Sequence, residues 1–200
     1  MDGATFAEIE EAGVEAWLSG LRQELQERRY KPQPVRRVMI PKPGGGERPL
    51  GIPTIRDRVV QTAVKLVIEP VLEADLSPYT FGYRPGKSAL DAIKIVQGML
   101  NQGYTDVVDA DLSKYFDTIP HSELLKSIAI RISDRNILRL IKMWLKTPVE
   151  ERDEKGGKRM SGGKNAKKGT PHCAQVASCG SAPLKGGVIS PLLGACLSNR

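Results

Sequence analysis

The residues best suited to chemistry stand where a strand pattern runs directly into acids. Val107-Val108-Asp109-Ala110-Asp111 is followed by Tyr115-Phe116-Asp117 and then by Pro120. Asp109 and Asp111 are two apart, so on a strand both project from one face. Carboxylates gathered at a strand end repel one another unless a cation lies between them, which points to ligation of a hard metal. The same spacing also fits an exposed strand end whose acids face water, and this stretch by itself leaves both readings open.

A second set of chemistry-bearing residues is cationic. Lys42 and Arg48 flank the glycine turn Pro43-Gly44-Gly45-Gly46, with Arg36 and Arg37 further back. Such a hairpin can lean its cations over a phosphate-bearing ligand, or its charges can simply guard a strand edge. Arg56 and Arg58 fall in the first turn of a helix, where the dipole disfavours cations and an anionic partner would offset the cost. Arg84 and Lys87 lie among the aromatics of Thr80-Phe81-Gly82-Tyr83-Arg84-Pro85-Gly86-Lys87. Bases stack and phosphates need cations, so this mixture suits single-stranded nucleic acid. A loop packed on the core is the plainer alternative.

The elements that must position these groups are legible from period and punctuation. Residues 5–29 read as a helix burying Val14, Trp17, Leu18, Leu21 and Leu25, with Gly13 splitting off a first turn and Pro32 and Pro34 ending it. Val35–Ile40 and Arg48–Ile52 read as a hairpin. Thr54 caps a helix with Val59, Val60, Ala63, Val64 and Val67 inward until Pro70 interrupts it. Ser88 caps another that runs to about Leu100, with Leu90, Ile93, Val96 and Leu100 inward. A strand over Tyr104–Asp111 follows, then helices over 120–130 and 134–146, the second burying Ile137, Leu138, Ile141, Trp144 and Leu145. His121 reads as a local hydrogen-bonding residue. Residues 151–168 read as a Gly/Lys linker without periodicity.

Composition narrows the partners. A hydrophobic fraction of 40% and a charged fraction of 26% are those of an ordinary globular chain. With no apolar run of transmembrane length and no basic-then-apolar start, the expected location is the cytoplasm, away from any membrane. Three cysteines argue for reduced thiols. The net charge of +7 is uneven: eight basic residues and no acid lie between Lys155 and Arg200, leaving 22 basic against 23 acidic residues before them. A polyanion is the natural partner for that tail, and a solvated loop the alternative.

Taken together, these segments resemble the reverse transcriptases encoded by bacterial group II introns. The likeness rests on Arg36 through Pro43, Arg48-Pro49-Leu50-Gly51-Ile52-Pro53-Thr54-Ile55-Arg56-Asp57-Arg58, Tyr79 through Ser88, Asp109-Ala110-Asp111 through Asp117, and Gly169-Thr170-Pro171 with Gly186-Gly187-Val188-Ile189-Ser190-Pro191. It implies an α+β right-hand polymerase fold. A helical N-terminal extension would occupy residues 1–34 and fingers 35–106. A partial palm would occupy 107–200, containing the 151–168 linker and an atypical insert at 172–185. It further implies RNA-directed DNA synthesis with assistance to intron splicing. The implied partners are RNA (the intron and the template), a DNA primer and deoxynucleoside triphosphates, with two magnesium ions. By this resemblance Asp111 is the catalytic carboxylate bridging both metals and the Leu112 main-chain carbonyl is a further metal ligand. Asp109 falls outside the ligand set, and Asp117 is structural. Lys42, Arg48, Arg36, Leu112, Phe116 and Gly187 line the incoming nucleotide, with Phe116 excluding a 2′-hydroxyl. Arg56, Arg58, Arg84 and Lys87 contact template or intron RNA.

Two departures bear on activity. Fourteen residues, His172 to Lys185, stand where the family has a single glutamine. Their His172, Cys173 and Cys179 match no standard zinc spacing. The Tyr-x-Asp-Asp hairpin that supplies the remaining carboxylates does not occur, and no Asp or Glu follows Glu154. The expectation is therefore an N-terminal fragment that does not polymerise by itself, or alternatively a fragment that only binds RNA.

Overall fold

Helix ends fall where side chains can satisfy the first free N–H groups. In a computed structural model describing residues 4–110, 119–152, 158–161 and 189–193, helix α1 (Phe6–Ala12) opens on a capping box. Thr5 and Glu8 there bond each other's backbone N–H. Gly13, at φ +92°, then breaks the chain before α2 (Val14–Gln26), as its position predicts. Thr54 caps α3 (Ile55–Glu73), Ser88 and Asp91 form a capping box for α4 (Ala89–Asn101), and Asp134 accepts from Asn136 and Ile137 at the start of α6 (Arg135–Leu145). Between them α5 spans His121–Ala129, directly after Pro120.

The hairpin forms as read. β1 (Val35–Pro41) pairs antiparallel with β2 (Glu47–Ile52), with Ile40 opposite Arg48 and Val38 opposite Leu50. Gly45 and Gly46 turn the chain at φ +88° and +78°, a region closed to most side chains. Two further strands complete the sheet, β3 (Val149–Arg152) and β4 (Lys158–Ser161), giving the order β2-β1-β3-β4. β3 lies parallel to β1, and β4 is antiparallel to β3. The sheet thus crosses the boundary drawn at residues 106 and 107, joining the hairpin to a segment more than a hundred residues later. One core gathers Leu21 of α2, Val60, Val64, Ile68 and Leu72 of α3, Leu124 and Ile128 of α5, and Ile141, Trp144 and Leu145 of α6.

The structure corrects the reading in five places. Residues 151, 152 and 158–161 are strands rather than linker. Their pattern is short and charged, and what recruits them is tertiary: Arg37 of β1 forms an ion pair with Glu151, and Val35 sits beside Val149 in the buried part of the sheet. Residues 104–110 are not a strand, and Val107 and Val108 are 78% and 92% exposed. A strand needs a neighbour to hydrogen-bond, and no described strand lies beside them. The apolar stripe of α4 is real, but Leu90, Ile93, Val96 and Leu100 are exposed rather than inward, because periodicity defines a face without supplying what covers it. Helix α3 runs through Pro70, since Ile68 and Leu72 bury themselves on either side of it, while Ala63 and Val67 are exposed. In α2, Leu21 is buried and Trp17 and Leu25 pack against the core, but Val14 and Leu18 remain exposed.

Candidate nucleic-acid interface

Three segments meet at a buried carboxylate: residues 30–34, the start of α3 and α6. Asp57, in the first turn of α3, is 1% exposed. It accepts from the Tyr30 hydroxyl at 2.6 Å, the Thr54 hydroxyl at 2.8 Å and the Gln33 main-chain N–H at 2.9 Å. The Trp144 indole N–H, from α6, donates in turn to the Tyr30 oxygen at 3.1 Å. Burial, reinforced by the bond to Asp57, pushes the Tyr30 hydroxyl far above the ordinary tyrosine range. In the sequence Asp57 is legible only as an acid in the first turn of the helix that Thr54 caps. Neither Tyr30 nor Trp144 carries any local signal of this network, because their partners lie 27 and 114 residues away.

Arg56 belongs to the same corner. Its guanidinium pairs with Glu24 of α2, donates to the Lys31 carbonyl at 3.3 Å and lies over the Tyr30 ring at 4.9 Å. Arg58 donates through Nε to the Pro53 carbonyl at 3.2 Å. Together these bonds fix segment 30–34, and with it the start of β1, against the N-terminus of α3.

From that base the hairpin carries its cations outward. Residues directly opposite across a ladder share a face, so Arg36, Val38 and Ile40 lie on one side with Leu50 and Arg48. Lys42 continues this alternation one step past β1, its N–H bonding the Gly46 carbonyl at 3.0 Å. Lys42 and Arg48 are exposed, and among the described residues neither side chain has an ion pair or hydrogen bond. Arg36, further down, is half-buried, and its Nε is enclosed without a hydrogen-bond partner among the described residues. The register therefore brings Arg36, Lys42 and Arg48, the hairpin cations expected at a nucleotide, to one face, two of them at the tip.

The loop after α3 turns its cations inward. Arg84, whose side chain is 9% exposed, pairs with Glu73 at 2.6 Å and donates to the Ser77 and Thr80 carbonyls at 2.6 and 3.0 Å. Lys87 donates to the Pro78 carbonyl and lies 5.0 Å from the centre of the Phe81 ring. Asp111, Leu112, Phe116 and Gly187 lie outside the described residues, as do the insert at 172–185 and its His172, Cys173 and Cys179. Asp109, the nearest described acid, is exposed. Among the described residues no group of three or more His, Cys, Asp or Glu side chains could hold a metal ion, and no helix is long and apolar enough to cross a membrane.

Residues 40–178 match the family model described as reverse transcriptase (RNA-dependent DNA polymerase). The chain belongs to this family. The relatives it matches include Escherichia coli protein YkfC, 38% identical over 184 residues covering 90% of this chain and 43% of that protein. Another is the group II intron-encoded protein LtrA of Lactococcus lactis, 36% identical over 125 residues, or 62% of this chain and 21% of that one. A third is the putative COX1/OXI3 intron 1 protein of Saccharomyces cerevisiae, 34% identical over 70% of this chain and 16% of that one. The chain thus spans less than half the length of these relatives. Among solved structures, a chain of a partial Cas6-RT-Cas1–Cas2 complex superposes with a TM-score of 0.42 at 22% identity, covering 82% of this chain and 28% of that one. Family membership makes the α+β elements described above those of a reverse transcriptase, and its sequence relatives make it kin to the group II intron-encoded proteins.

Proposed function

We propose that these residues supply the fingers and the first catalytic carboxylate of a group II intron reverse transcriptase. That enzyme copies RNA into DNA and assists splicing of the intron that encodes it. The observation that carries the reading is the hairpin of a reverse-transcriptase-family chain with Lys42 and Arg48 exposed, on one face and without an ion pair among the described residues. Two cations at the hairpin tip can hold a triphosphate or an RNA backbone without first breaking an ion pair within the described residues. Arg36 would contribute from the base of the same face. Arg56, Arg58, Arg84 and Lys87, proposed to touch RNA, would do so through whatever donors their internal bonds leave over.

In the complete enzyme Asp111 and the Leu112 carbonyl would hold magnesium, which would activate a primer hydroxyl and stabilise the leaving pyrophosphate. Phe116 and Gly187 would shape the nucleotide pocket. Within these 200 residues Asp111 has no carboxylate after Glu154 to share a second metal with. As an isolated chain they bind RNA and do not extend a primer. The proposed partners are thus intron and template RNA, with primer and deoxynucleoside triphosphates joining in the complete enzyme.

The test is binding of the 200-residue chain to a single-stranded RNA oligonucleotide across a salt series, without magnesium. Affinity should fall steeply with salt, and Asp111→Ala should leave it unchanged. No binding at moderate salt would overturn the RNA reading. Primer extension by this chain that Asp111→Ala abolishes would overturn the prediction that it is inactive alone.

A further inference from the structure

Loop 77–88 is held so that its cations face in and its tyrosines face out. The Arg84 guanidinium bridges the Ser77 and Thr80 carbonyls to Glu73 of α3, closing the loop on a clasp. Lys87 ties the far side to the Pro78 carbonyl and covers Phe81, which is half-buried. Tyr79 and Tyr83 flank the clasp and are 63% and 82% exposed. Neither hydroxyl has a hydrogen-bond partner among the described residues. Tyr83 takes φ +59°, a conformation disfavoured for a ring-bearing residue. The next residue is fixed both by the Arg84 side-chain bonds and by the Lys87 N–H donated to the Arg84 carbonyl at 3.4 Å.

We propose that Tyr83, together with Tyr79, is a stacking platform for unpaired bases of bound RNA. This rests on the RNA-binding reading above and sharpens it by naming where bases rather than phosphates are held. An exposed ring on an untethered loop would lose much of its contact energy to ordering, whereas this loop is tied by the Arg84 and Lys87 bonds. Every base has a π-face, so the platform selects single strands over duplex without reading sequence. Arg84 and Lys87 then position the rings, besides whatever RNA contacts their remaining donors make, and the hairpin tip supplies further phosphate contacts.

The experiment measures affinity of the intact 200-residue chain for a twelve-nucleotide single-stranded RNA and for a duplex of the same length, without magnesium. Tyr83→Ala should weaken single-strand binding about tenfold, and Tyr83→Leu by a similar factor. Tyr83→Phe should stay within about twofold of the parent. Duplex binding should be unchanged in all three, and their unfolding temperatures should match the parent because the ring is exposed. If Tyr83→Ala binds the single strand like the parent while Lys42→Ala/Arg48→Ala weakens it, the platform is refuted and the RNA reading stands. Equal losses on duplex and single strand, or full retention by Tyr83→Leu, also refute stacking. If the parent chain binds no RNA at moderate salt, both readings fall together.

Discussion

At the hairpin tip Lys42 and Arg48 stand in solvent with no acid partner among the described residues, while a short distance along the chain Arg56 lies on Tyr30 and pairs with Glu24. The two regions, within about fifteen residues of one another, use the same kind of residue for opposite purposes. In the corner, cations and acids satisfy one another and bind α2, segment 30–34 and α3 together. At the tip, the fixed turn leaves them unsatisfied. A charge already paired must surrender a bond before it can hold a ligand, so the corner builds the base from which the tip can act.

The comparison breaks most visibly at Asp57. Asp57→Ala should cost about 3–5 kcal/mol in chemical denaturation, since it strands the buried Tyr30 and Thr54 hydroxyls and removes the acceptor of the Gln33 N–H. RNA affinity measured where the variant remains folded should fall as the hairpin loses its base. Arg56→Ala comes next, at about 1.5–3 kcal/mol, for the lost charged hydrogen bond and the contact with the Tyr30 ring. At the tip the signs reverse. Lys42→Ala/Arg48→Ala should change stability by less than about 0.5 kcal/mol yet lower the slope of log affinity against log salt by about 2. A double variant that unfolds the chain, or an Arg56→Ala chain that stays fully stable but loses RNA, would collapse the distinction.

Titration sharpens it further. The Tyr30 hydroxyl is raised in the folded chain, so its stabilisation is complete below the unfolded value of 10.0 and is lost as pH climbs above that. Unfolding temperature should therefore decline above about pH 10, and Tyr30→Phe should flatten that decline. The smallest effect belongs to the cap of α4. The Ser88 hydroxyl and N–H hold the Asp91 carboxyl below its ordinary range, so this contribution is present at neutral pH and fades as acid protonates Asp91. Helicity of α4 should soften in acid, and Ser88→Ala, costing about 1 kcal/mol, should remove much of that acid sensitivity.

The sequence by itself determined whatever depends on a few adjacent residues. Thr5, Thr54, Ser88 and Asp134 cap their helices because the N–H groups they satisfy are two or three residues away. The Lys42–Arg48 hairpin follows from its glycines, and the family from ordered blocks of residues. Tertiary structure decided the rest. Whether an arginine is a ligand or a rivet depends on acids and carbonyls brought from elsewhere: Glu24 lies 32 residues from Arg56, and Glu151 lies 114 from Arg37. The charged strands β3 and β4 exist because β1 offers an edge, whereas the more strand-like Val107-Val108 stays irregular where no described edge meets it. Caps and turns are satisfied within a few residues, but ion pairs, sheet edges and buried faces need a second surface, and only the fold supplies one.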